Sequence, residues 1–261
     1  MGAVWITGAS SGIGKACALR YASMRRSLVL TSSSREKLEA VARECLEKGA
    51  PEAYVLPYDF SKPDGLKELV SEAWRLGGGV DIIFCNAGVS QRTTVLDTSE
   101  ETIRELMEIN FFAPATMAKA ILPFMLEAGG GTIAVTTSIA GRFGFPLRCA
   151  YSASKHALYG FFETLRAEYY AKGIRVTLVC PGRVRTDISL RARDKGGRPH
   201  GVMDPGQARG LSPEKAAKRI VKAIGKGRRE VLVGRGELFM VQIKRFFPGL
   251  CALIGRHIKA V

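Results

Sequence analysis

A glycine-rich segment directly after a short apolar run constrains the fold more than any other feature of this chain. The apolar run covers residues 3–7, and the glycine-rich segment covers residues 8–14. This order predicts a strand, a tight turn and a helix start, because glycine permits backbone angles and close approaches that other residues exclude. The free N–H groups and partial positive charge of a helix N-terminus suit a phosphate. A glycine turn with a structural role only is the alternative.

Apolar runs of strand length alternate with helical patterns along the whole chain. Strands are predicted at residues 3–7, 28–32, 53–57, 81–85, 131–137, 174–180 and 230–233, and helices at 13–25, 34–48, 63–77, 100–127, 151–172 and 213–226. Continuous apolar strands are typical of parallel sheets that are buried on both faces. The pattern predicts an α/β protein with a single doubly wound, Rossmann-type parallel sheet, helices on both faces and ligands at the carboxyl ends of the strands.

We predict one domain over residues 1–261, since neither a linker nor an internal repeat interrupts the pattern. Residues 183–212 are rich in glycine and proline and follow a predicted strand, so they are expected to form an irregular substrate lid. Six cysteines without regular spacing predict buried thiols in a reducing compartment. The three histidines lack ligand spacing, so no metal site is expected.

The formal net charge of +15 is concentrated late in the chain. Residues 213–261 carry twelve Lys or Arg against three acids, and residues 183–198 carry six against two. Anionic lipid, an anionic substrate or nucleic acid could balance this charge, and solubility alone is the alternative. No nucleic-acid-binding module is recognisable, so that partner is not expected. With no signal peptide and no apolar run of the roughly 20 residues that a membrane span needs, a cytoplasmic protein is expected.

Tyr151 and Lys155 are four residues apart at the start of a predicted helix, so they share one face. A nearby ammonium favours the phenolate, which prepares the tyrosine to exchange a proton with a carbonyl or alcohol oxygen. Ser138 follows a predicted strand, where its hydroxyl could orient the same oxygen. The alternatives are that Tyr151 and Lys155 are an ordinary surface pair and that Ser138 only forms a turn.

Asn110 lies on the apolar stripe of its predicted helix, where an amide is costly unless its hydrogen bonds are met. Pro114 follows four residues later and has no N–H, so the carbonyl of Asn110 loses its usual helical partner. A kinked helix with a free inward carbonyl could hold a water in a proton relay. The alternative is a kink that only packs against a neighbouring element.

Together these residues resemble the short-chain dehydrogenase/reductase family along nearly the whole chain. The matching motifs are residues 7–14, Asp59, residues 86–88, Asn110, Ser138, residues 151–155, and Pro181-Gly182 with Thr186. The resemblance implies NAD(P)(H)-dependent hydride transfer between an alcohol and a carbonyl. It implies that Tyr151 is the acid or base, that Ser138 polarises the substrate, that Lys155 lowers the pKa of the tyrosine, and that Asn110 completes a proton relay.

The resemblance also implies a set of cofactor-binding residues. They are Gly8, Ser10, Ser11, Gly12, Ile13, Gly14, Asp59, Phe60, Asn86, Ala87, Gly88, Tyr151, Lys155, Pro181, Gly182 and Thr186. The second strand ends in hydroxyl residues instead of an acid, and Ser33, Ser34 and Arg35 could bind a 2′-phosphate. We therefore expect NADP(H) as the preferred cofactor and NAD(H) as the alternative. A solvated Arg35 with no role in binding also remains open.

A narrower resemblance links residues 138–141, 145–146 and 151–168 to hydroxysteroid dehydrogenases and acyl-dihydroxyacetone-phosphate reductase. It implies an NADPH-dependent carbonyl reductase that acts on a bulky lipophilic carbonyl or alcohol and assembles as a homo-oligomer. Residues 235–261 mix aromatic and basic side chains, which also suits contact with a membrane surface. A non-catalytic dinucleotide sensor or scaffold on the same fold is the competing function.

Overall fold

The structure is a computed structural model that describes residues 2–257. Its seven strands are β1 (Ala3–Thr7), β2 (Leu28–Thr31), β3 (Ala53–Val55), β4 (Val80–Cys85), β5 (Gly131–Thr136), β6 (Ile174–Pro181) and β7 (Glu230–Val233). Its helices are α1 (Gly12–Ala22), α2 (Arg35–Glu47), α3 (Leu66–Leu76), α4 (Glu100–Met107), α5 (Ala113–Glu127), α6 (Cys149–Tyr169), α7 (Pro205–Ala208), α8 (Pro213–Gly225), α9 (Phe239–Phe246) and α10 (Pro248–His257).

All seven strands pair in parallel in the order β3-β2-β1-β4-β5-β6-β7. Alternate residues of β1 enter two separate cores, because successive side chains of a strand point to opposite faces. Trp5 packs with the face covered by α3, α5 and α6, and Ile6 packs with the face covered by α1, α2 and α8. The predicted doubly wound parallel sheet with helices on both faces is confirmed.

Several element ends differ from the sequence prediction for local reasons. Helix α1 stops at Ala22 instead of residue 25, since Arg25 adopts a φ of +56°. Strand β3 ends at Val55, before Pro57, which has no N–H to extend the ladder. Helix α3 begins only after Gly65, whose φ of +83° lies in the left-handed region.

The predicted helix 100–127 is interrupted by a π-helical turn over Glu108–Phe112. The N–H of Ala113 bonds to the carbonyl of Glu108, five residues back, and Pro114 follows directly. Because Pro114 cannot donate to the carbonyl of Asn110, the regular ladder cannot continue there. The predicted distortion at Asn110 is therefore present, as a widened turn within the helix.

Residues 183–212 contain the short helix α7 and several anchoring bonds, so they are more ordered than an irregular insertion. The backbone of Arg193 donates to the carbonyl of Ser90 at 2.8 Å, and Arg92 donates to the carbonyl of Arg193 at 2.8 Å. The Arg193 guanidinium also pairs with Glu105 on α4. This segment is thus tied to the chain that follows β4.

The C-terminal helices α9 and α10 pack near the carboxyl end of β6, in a cluster that includes Cys180. Met240, Val241 and Ile243 pack against a small core that includes Phe143 and Cys251. On the other side, large apolar groups remain exposed: Phe239, Phe246, Phe247, Leu250 and Leu253. One side of the C-terminal helices therefore packs on the protein, and the other side is exposed. Residues 258–261 lie outside the described part of the chain.

Within residues 2–257, the stretch Glu100–Glu127 is the one helix that is long and apolar enough to cross a membrane, with a mean hydropathy of 1.4. Its most apolar window is 56% buried, and it packs in the core of the sheet. The sequence analysis did not expect such a stretch, because it includes charged residues. All six cysteines are free and buried except the half-buried Cys149. No group of three or more potential metal ligands occurs among these residues.

Candidate active site

A cleft of about 910 Å³ runs along the carboxyl ends of the strands, from the glycine-rich turn to Tyr151. Most of the predicted site residues line it: Gly8, Ser10, Ser11, Gly12, Ile13, Ser33, Asp59, Phe60, Asn86, Ala87, Gly88, Ser138, Tyr151, Lys155, Pro181, Gly182 and Thr186. Four predicted residues do not line it, namely Gly14, Ser34, Arg35 and Asn110. The fold thus gathers one site from segments spread over most of the chain.

The glycine-rich turn leaves no space for side chains at its three glycines. Gly8 and Gly12 have φ values of +64° and +54°. A Cβ atom on Gly14 would lie 2.2 Å from the carbonyl oxygen of Gly8, so α1 packs directly on the end of β1. Ser11, which precedes α1, makes no side-chain capping bond, and the first turn of α1 has no acid. The start of this helix therefore suits an anionic group.

Asn86 joins the central strands at the base of the cleft. Its Nδ2 donates to the carbonyl of Thr7 at 3.2 Å, and its Oδ1 accepts from Thr136 at 3.1 Å. The Thr7 hydroxyl in turn accepts from the backbone N–H groups of Asn86 and Ala87. These bonds fix the spacing of β1, β4 and β5, which agrees with the bracing role implied for Asn86.

The end of β2 offers hydroxyl groups to the cleft and no acid. Ser32 and Ser33 line the cleft, and the buried Ser32 hydroxyl has no hydrogen-bond partner among the described residues. The Ser34 hydroxyl instead caps α2, where it accepts from Lys37 at 3.3 Å. Arg35 is largely exposed and lies 3.9 Å from Glu39. Of the expected Ser33, Ser34 and Arg35, only Ser33 lines the cleft, and Ser32 lines it as well.

Tyr151 projects from the first turn of α6 and is almost fully buried at the cleft floor. Burial raises the pKa of its phenol, while the Ser138 hydroxyl and the charges of Arg148 and Arg92 lower that pKa. The net shift is upward, so the phenol is protonated at neutral pH. Ser138 Oγ accepts from the N–H of Ala140 at 3.1 Å, which leaves its own hydrogen free to donate. The pair can supply a proton and a hydrogen bond to one oxygen atom.

Lys155 lies four residues after Tyr151 on α6 and is buried in the cleft. Its Nζ donates to the carbonyl of Thr136 at 2.8 Å and lies 5.8 Å from the centre of the Tyr151 ring. Burial lowers the pKa of Lys155 to about 7, because the charged ammonium is poorly solvated. The cations that favour the phenolate in this structure are Arg148 and Arg92, which the sequence analysis did not select.

Asn110 is buried, and its side chain is fully engaged behind the cleft. Its Oδ1 accepts from the N–H of Val89 at 3.0 Å, and its Nδ2 donates to the carbonyl of Val89 and to Ser154. Ser154 donates to the carbonyl of Tyr151 at 2.9 Å. Through these contacts Asn110 positions both the chain after β4 and the start of α6.

Gln91 also positions the start of α6, and the sequence analysis did not select it. It is fully buried, and its Oε1 accepts from the backbone N–H groups of Ala150 at 2.9 Å and Tyr151 at 3.4 Å. Helices leave their first N–H groups without internal partners, so Gln91 acts as a cap supplied from a distant segment. A glutamine so far along the chain carries no local capping signal.

Arg92, Arg148 and Asp204 form a buried ion cluster at the opposite end of the cleft from the glycines. Asp204 Oδ1 accepts from Arg92 Nε at 3.2 Å, and Asp204 Oδ2 accepts from Arg148 Nη2 at 3.0 Å. Burial and repulsion by Arg92 lower the pKa of Arg148 to about 10. The sequence analysis noted the basic charge of residues 183–198 but selected neither Arg92 nor Arg148, since nothing local marks these two residues.

Comparison with known proteins agrees with this geometry. Residues 2–196 match the family model described as short chain dehydrogenase. The chain therefore belongs to the short-chain dehydrogenase/reductase family and is an oxidoreductase.

Its relatives include Dehydrogenase/reductase SDR family member 7B of Xenopus tropicalis. That protein is 39% identical over 235 residues, which cover 88% of this chain and 76% of the relative. The protein of the same name from Bos taurus is 36% identical over 253 residues, which cover 95% and 78%. These matches confirm the family and do not resolve the narrower branch that the sequence resembles.

Solved structures show the same fold with nucleotides bound. A short chain dehydrogenase/reductase from Burkholderia phymatum in complex with NAD superposes with a TM-score of 0.84, at 26% identity over 95% of both chains. An alcohol dehydrogenase from Thermococcus sibiricus complexed with 5-hydroxy-NADP has a TM-score of 0.77 and 27% identity, over 90% of this chain and 97% of the other. Neighbours with this fold thus bind either type of cofactor.

The cleft of this chain fits a dinucleotide. The crowded glycines, the uncapped start of α1 and the unpartnered Ser32 hydroxyl offer what a pyrophosphate and a ribose need. Tyr151, Ser138 and Lys155 lie at the other end of the same cleft. A dinucleotide bound along it would place its reactive ring near the phenol.

Proposed function

We propose that this chain is an NADP(H)-preferring reductase that interconverts a bulky lipophilic carbonyl and its secondary alcohol. A bound nicotinamide cofactor supplies the hydride for reduction and accepts it in the reverse direction. Tyr151 donates the proton to the carbonyl oxygen, and Ser138 donates a hydrogen bond to that oxygen. The observation that carries the proposal is the buried Tyr151–Ser138 pair on the floor of a cleft that starts at the glycine-rich turn.

The resting protonation states support reduction at neutral pH. The raised pKa of Tyr151 keeps its proton available for donation. The lowered pKa of Lys155 leaves that amine near its midpoint, so it can return a proton towards the tyrosine after the reaction. We assign Asn110 to the same path, because Pro114 cannot donate to its backbone carbonyl, so this oxygen can accept from a relay water.

The end of β2 supports the choice of NADP(H). A carboxylate there would repel a 2′-phosphate, whereas the Ser32 and Ser33 hydroxyls can donate to one. Pyridine nucleotide kinetics test this choice. We expect kcat/KM to be higher with NADPH than with NADH, and Ser33→Asp to lower that ratio by about tenfold or more. A clear preference of the unaltered protein for NADH would contradict the proposal.

The rest of the cleft supports a large apolar substrate. Its lining includes the apolar side chains of Ile139, Phe143, Phe145, Ile188 and Met240, and Phe145 packs in the same cluster as Tyr151. A panel of bulky neutral ketones tested with NADPH checks this assignment. Ketone-dependent oxidation of NADPH that strengthens with ketone size is expected. A protein that binds NADPH and reduces no member of the panel would instead fit the non-catalytic sensor.

We also propose that the exposed face of α9 and α10 docks on an anionic membrane surface. Phe239, Phe246 and Phe247 are each more than 60% exposed, and Lys244, Arg245 and Arg256 lie among them. Inserted aromatic groups and basic residues at the headgroups together favour binding to such a surface. Liposome flotation tests this contact, with Phe246→Ser as the weakened variant. A protein that stays in the soluble fraction at low salt would contradict it.

We also propose that the protein self-associates. The outer faces of α4, α5 and α6 are expected to meet those of a second copy, as the family resemblance implies. Ile103 on α4 and Phe112 beside it are exposed, which supports an apolar contact there. Light scattering coupled to size-exclusion chromatography would give the mass of the particle, and a strict monomer at micromolar concentration would contradict this part.

A further inference from the structure

The arginine cluster at the substrate end of the cleft holds more positive charge than its acid can neutralise. Arg92 and Arg148 share the single carboxylate of Asp204, and both arginines and the aspartate line the cleft. The side chain of Arg92 is only 3% exposed and that of Arg148 only 13%. One net positive charge is therefore held in a poorly solvated place, which costs free energy unless something compensates it.

The hydrogen bonds of this cluster are also incomplete. Each guanidinium nitrogen of Arg92 has an acceptor, since they donate to Asp204, to the Ser90 hydroxyl and to the carbonyl of Gln91. Arg148 donates to Asp204 through Nη2, while its buried Nη1 has no partner among the described residues. A buried guanidinium nitrogen without an acceptor is expensive, so the site has capacity for one more acceptor.

The surrounding charge does not supply that acceptor. Seven cationic and four acidic side chains line the cleft. Of the acids, Asp59 is bonded to Ser61, Asp187 faces Arg191, and Glu237 accepts from the backbone of Arg183. Arg183 adds its own repulsion to Arg148. Each acid other than Asp204 therefore already has a separate partner.

We propose that Arg148, held by Asp204 and Arg92, binds an acidic group on the substrate, either a carboxylate or a phosphate monoester, while Tyr151 serves the carbonyl. Arg148 immediately precedes α6 and lies three residues before Tyr151, so one substrate can reach both. Its guanidinium also stacks 4.7 Å from the centre of the Phe145 ring, which fixes its plane. A planar guanidinium is suited to carboxylate and phosphate oxygens.

This inference rests on the proposed reductase function and narrows its substrate class. The substrate would combine an apolar body, which fits the lining around Phe143 and Met240, with an acidic end near the carbonyl. The alternative is a fastening role, in which the cluster only holds residues 183–212 against the chain after β4, since Arg92 and Asp204 join those two segments. A fastening role predicts no difference between acidic and neutral substrates.

Paired substrates separate the two explanations. Each pair has one carbon skeleton, as a keto acid and its methyl ester, or a keto phosphate monoester and its free alcohol, assayed with saturating NADPH. We expect the unaltered protein to prefer the acidic member. Arg148→Gln should lower the ratio of kcat/KM for the acidic over the neutral member by about 10- to 100-fold. The pair with the larger ratio of kcat/KM, acidic over neutral member, shows whether the acidic group is a carboxylate or a phosphate monoester.

Arg198→Gln is the matched control. Arg198 belongs to the same segment as Asp204, is largely exposed and lies outside the cleft lining, so its loss should leave the ratio within about twofold. Equal losses for both members of a pair in Arg148→Gln would overturn the inference, as would an unaltered protein that does not discriminate. In either case reduction of the neutral ketone would leave the reductase proposal standing.

A second measurement does not depend on any variant. Inorganic phosphate and acetate are added to the unaltered protein while it reduces a neutral ketone at saturating NADPH. We expect at least one anion to inhibit in competition with the ketone, because it occupies the Arg148 site. The absence of inhibition by both anions, or inhibition that is not competitive with the ketone, would overturn the inference.

Discussion

The two ends of the cleft differ in the kinds of chemical group that form them. The glycine end, residues 8–14, consists of backbone and small side chains whose positions follow from spacing within seven residues. The arginine end, formed by Arg92, Arg148 and Asp204, consists of long charged side chains that come together across 56 to 112 residues of sequence. In the function proposed above, the glycine end would bind the dinucleotide and the arginine end would bind the substrate.

The two ends of the cleft also differ in the substitutions that they tolerate. At the glycine end the cost of change is steric, because added atoms meet backbone that cannot move. At the arginine end the cost is electrostatic, because removing one charge leaves the others buried and unmatched. Substitutions matched by size or by charge can test each half of this comparison.

Asp204→Ala should cause the largest loss of stability. It leaves two buried guanidinium groups without an acid, and breaking such a cluster costs about 3–5 kcal/mol. Urea unfolding of the protein without cofactor measures the loss. Asp187→Ala removes an exposed acid that lies 3.5 Å from Arg191, and it should cost less than about 1 kcal/mol. Similar losses for the two variants would show that the arginine end is not electrostatically strained.

Gly14→Ala should cause the next largest effect, at the glycine end. The new methyl group would lie 2.2 Å from the carbonyl oxygen of Gly8, so α1 or the turn must move. Overpacking of this kind costs about 1–3 kcal/mol, and it should also weaken binding of NADPH. Gly144→Ala is the control, because no atom lies within 4 Å of a Cβ there. NADPH fluorescence titration that detects no difference between the variants would refute the steric account.

Lys155 should give the smallest effect per pH unit, as a dependence of stability on pH. The pKa of Lys155 in the folded protein is about 7, below the usual lysine value of 10.5, so between these values the unfolded chain binds more protons. The contribution of Lys155 to the free energy of unfolding is therefore absent below pH 7. Above pH 7 that free energy rises by about 1 kcal/mol per pH unit. Lys155→Met should remove that slope between pH 7 and 8.5 in the protein without cofactor. An unchanged slope would contradict the buried, weakly basic amine.

The fold and the glycine end could be predicted from the sequence because both depend on local patterns. Apolar runs located all seven strands, and the spacing of Gly8, Gly12 and Gly14 located the turn. Pro114 likewise predicted the distorted helix at Asn110. In each case the residues that determine the structure are neighbours along the chain.

The arginine end could not be predicted, because no local signal distinguishes its members from other arginines. Arg92 and Arg148 are singled out only by a shared contact with Asp204, far along the chain. The sequence analysis chose Arg35 by its position after β2, yet its side chain is exposed and lies outside the cleft lining. The direction of a surface side chain depends on packing that spacing does not encode.

Tyr151→Phe tests the central claim most directly, because it removes one hydroxyl and leaves the ring that fills the cleft floor. In the proposed function the protonated phenol of Tyr151 donates its proton at one end of the cleft, and the nucleotide binds at the other end. We therefore expect kcat for ketone reduction to fall by about 100- to 10,000-fold, with the dissociation constant for NADPH changed less than about threefold. Ketone reduction at the unaltered rate in Tyr151→Phe would contradict the account.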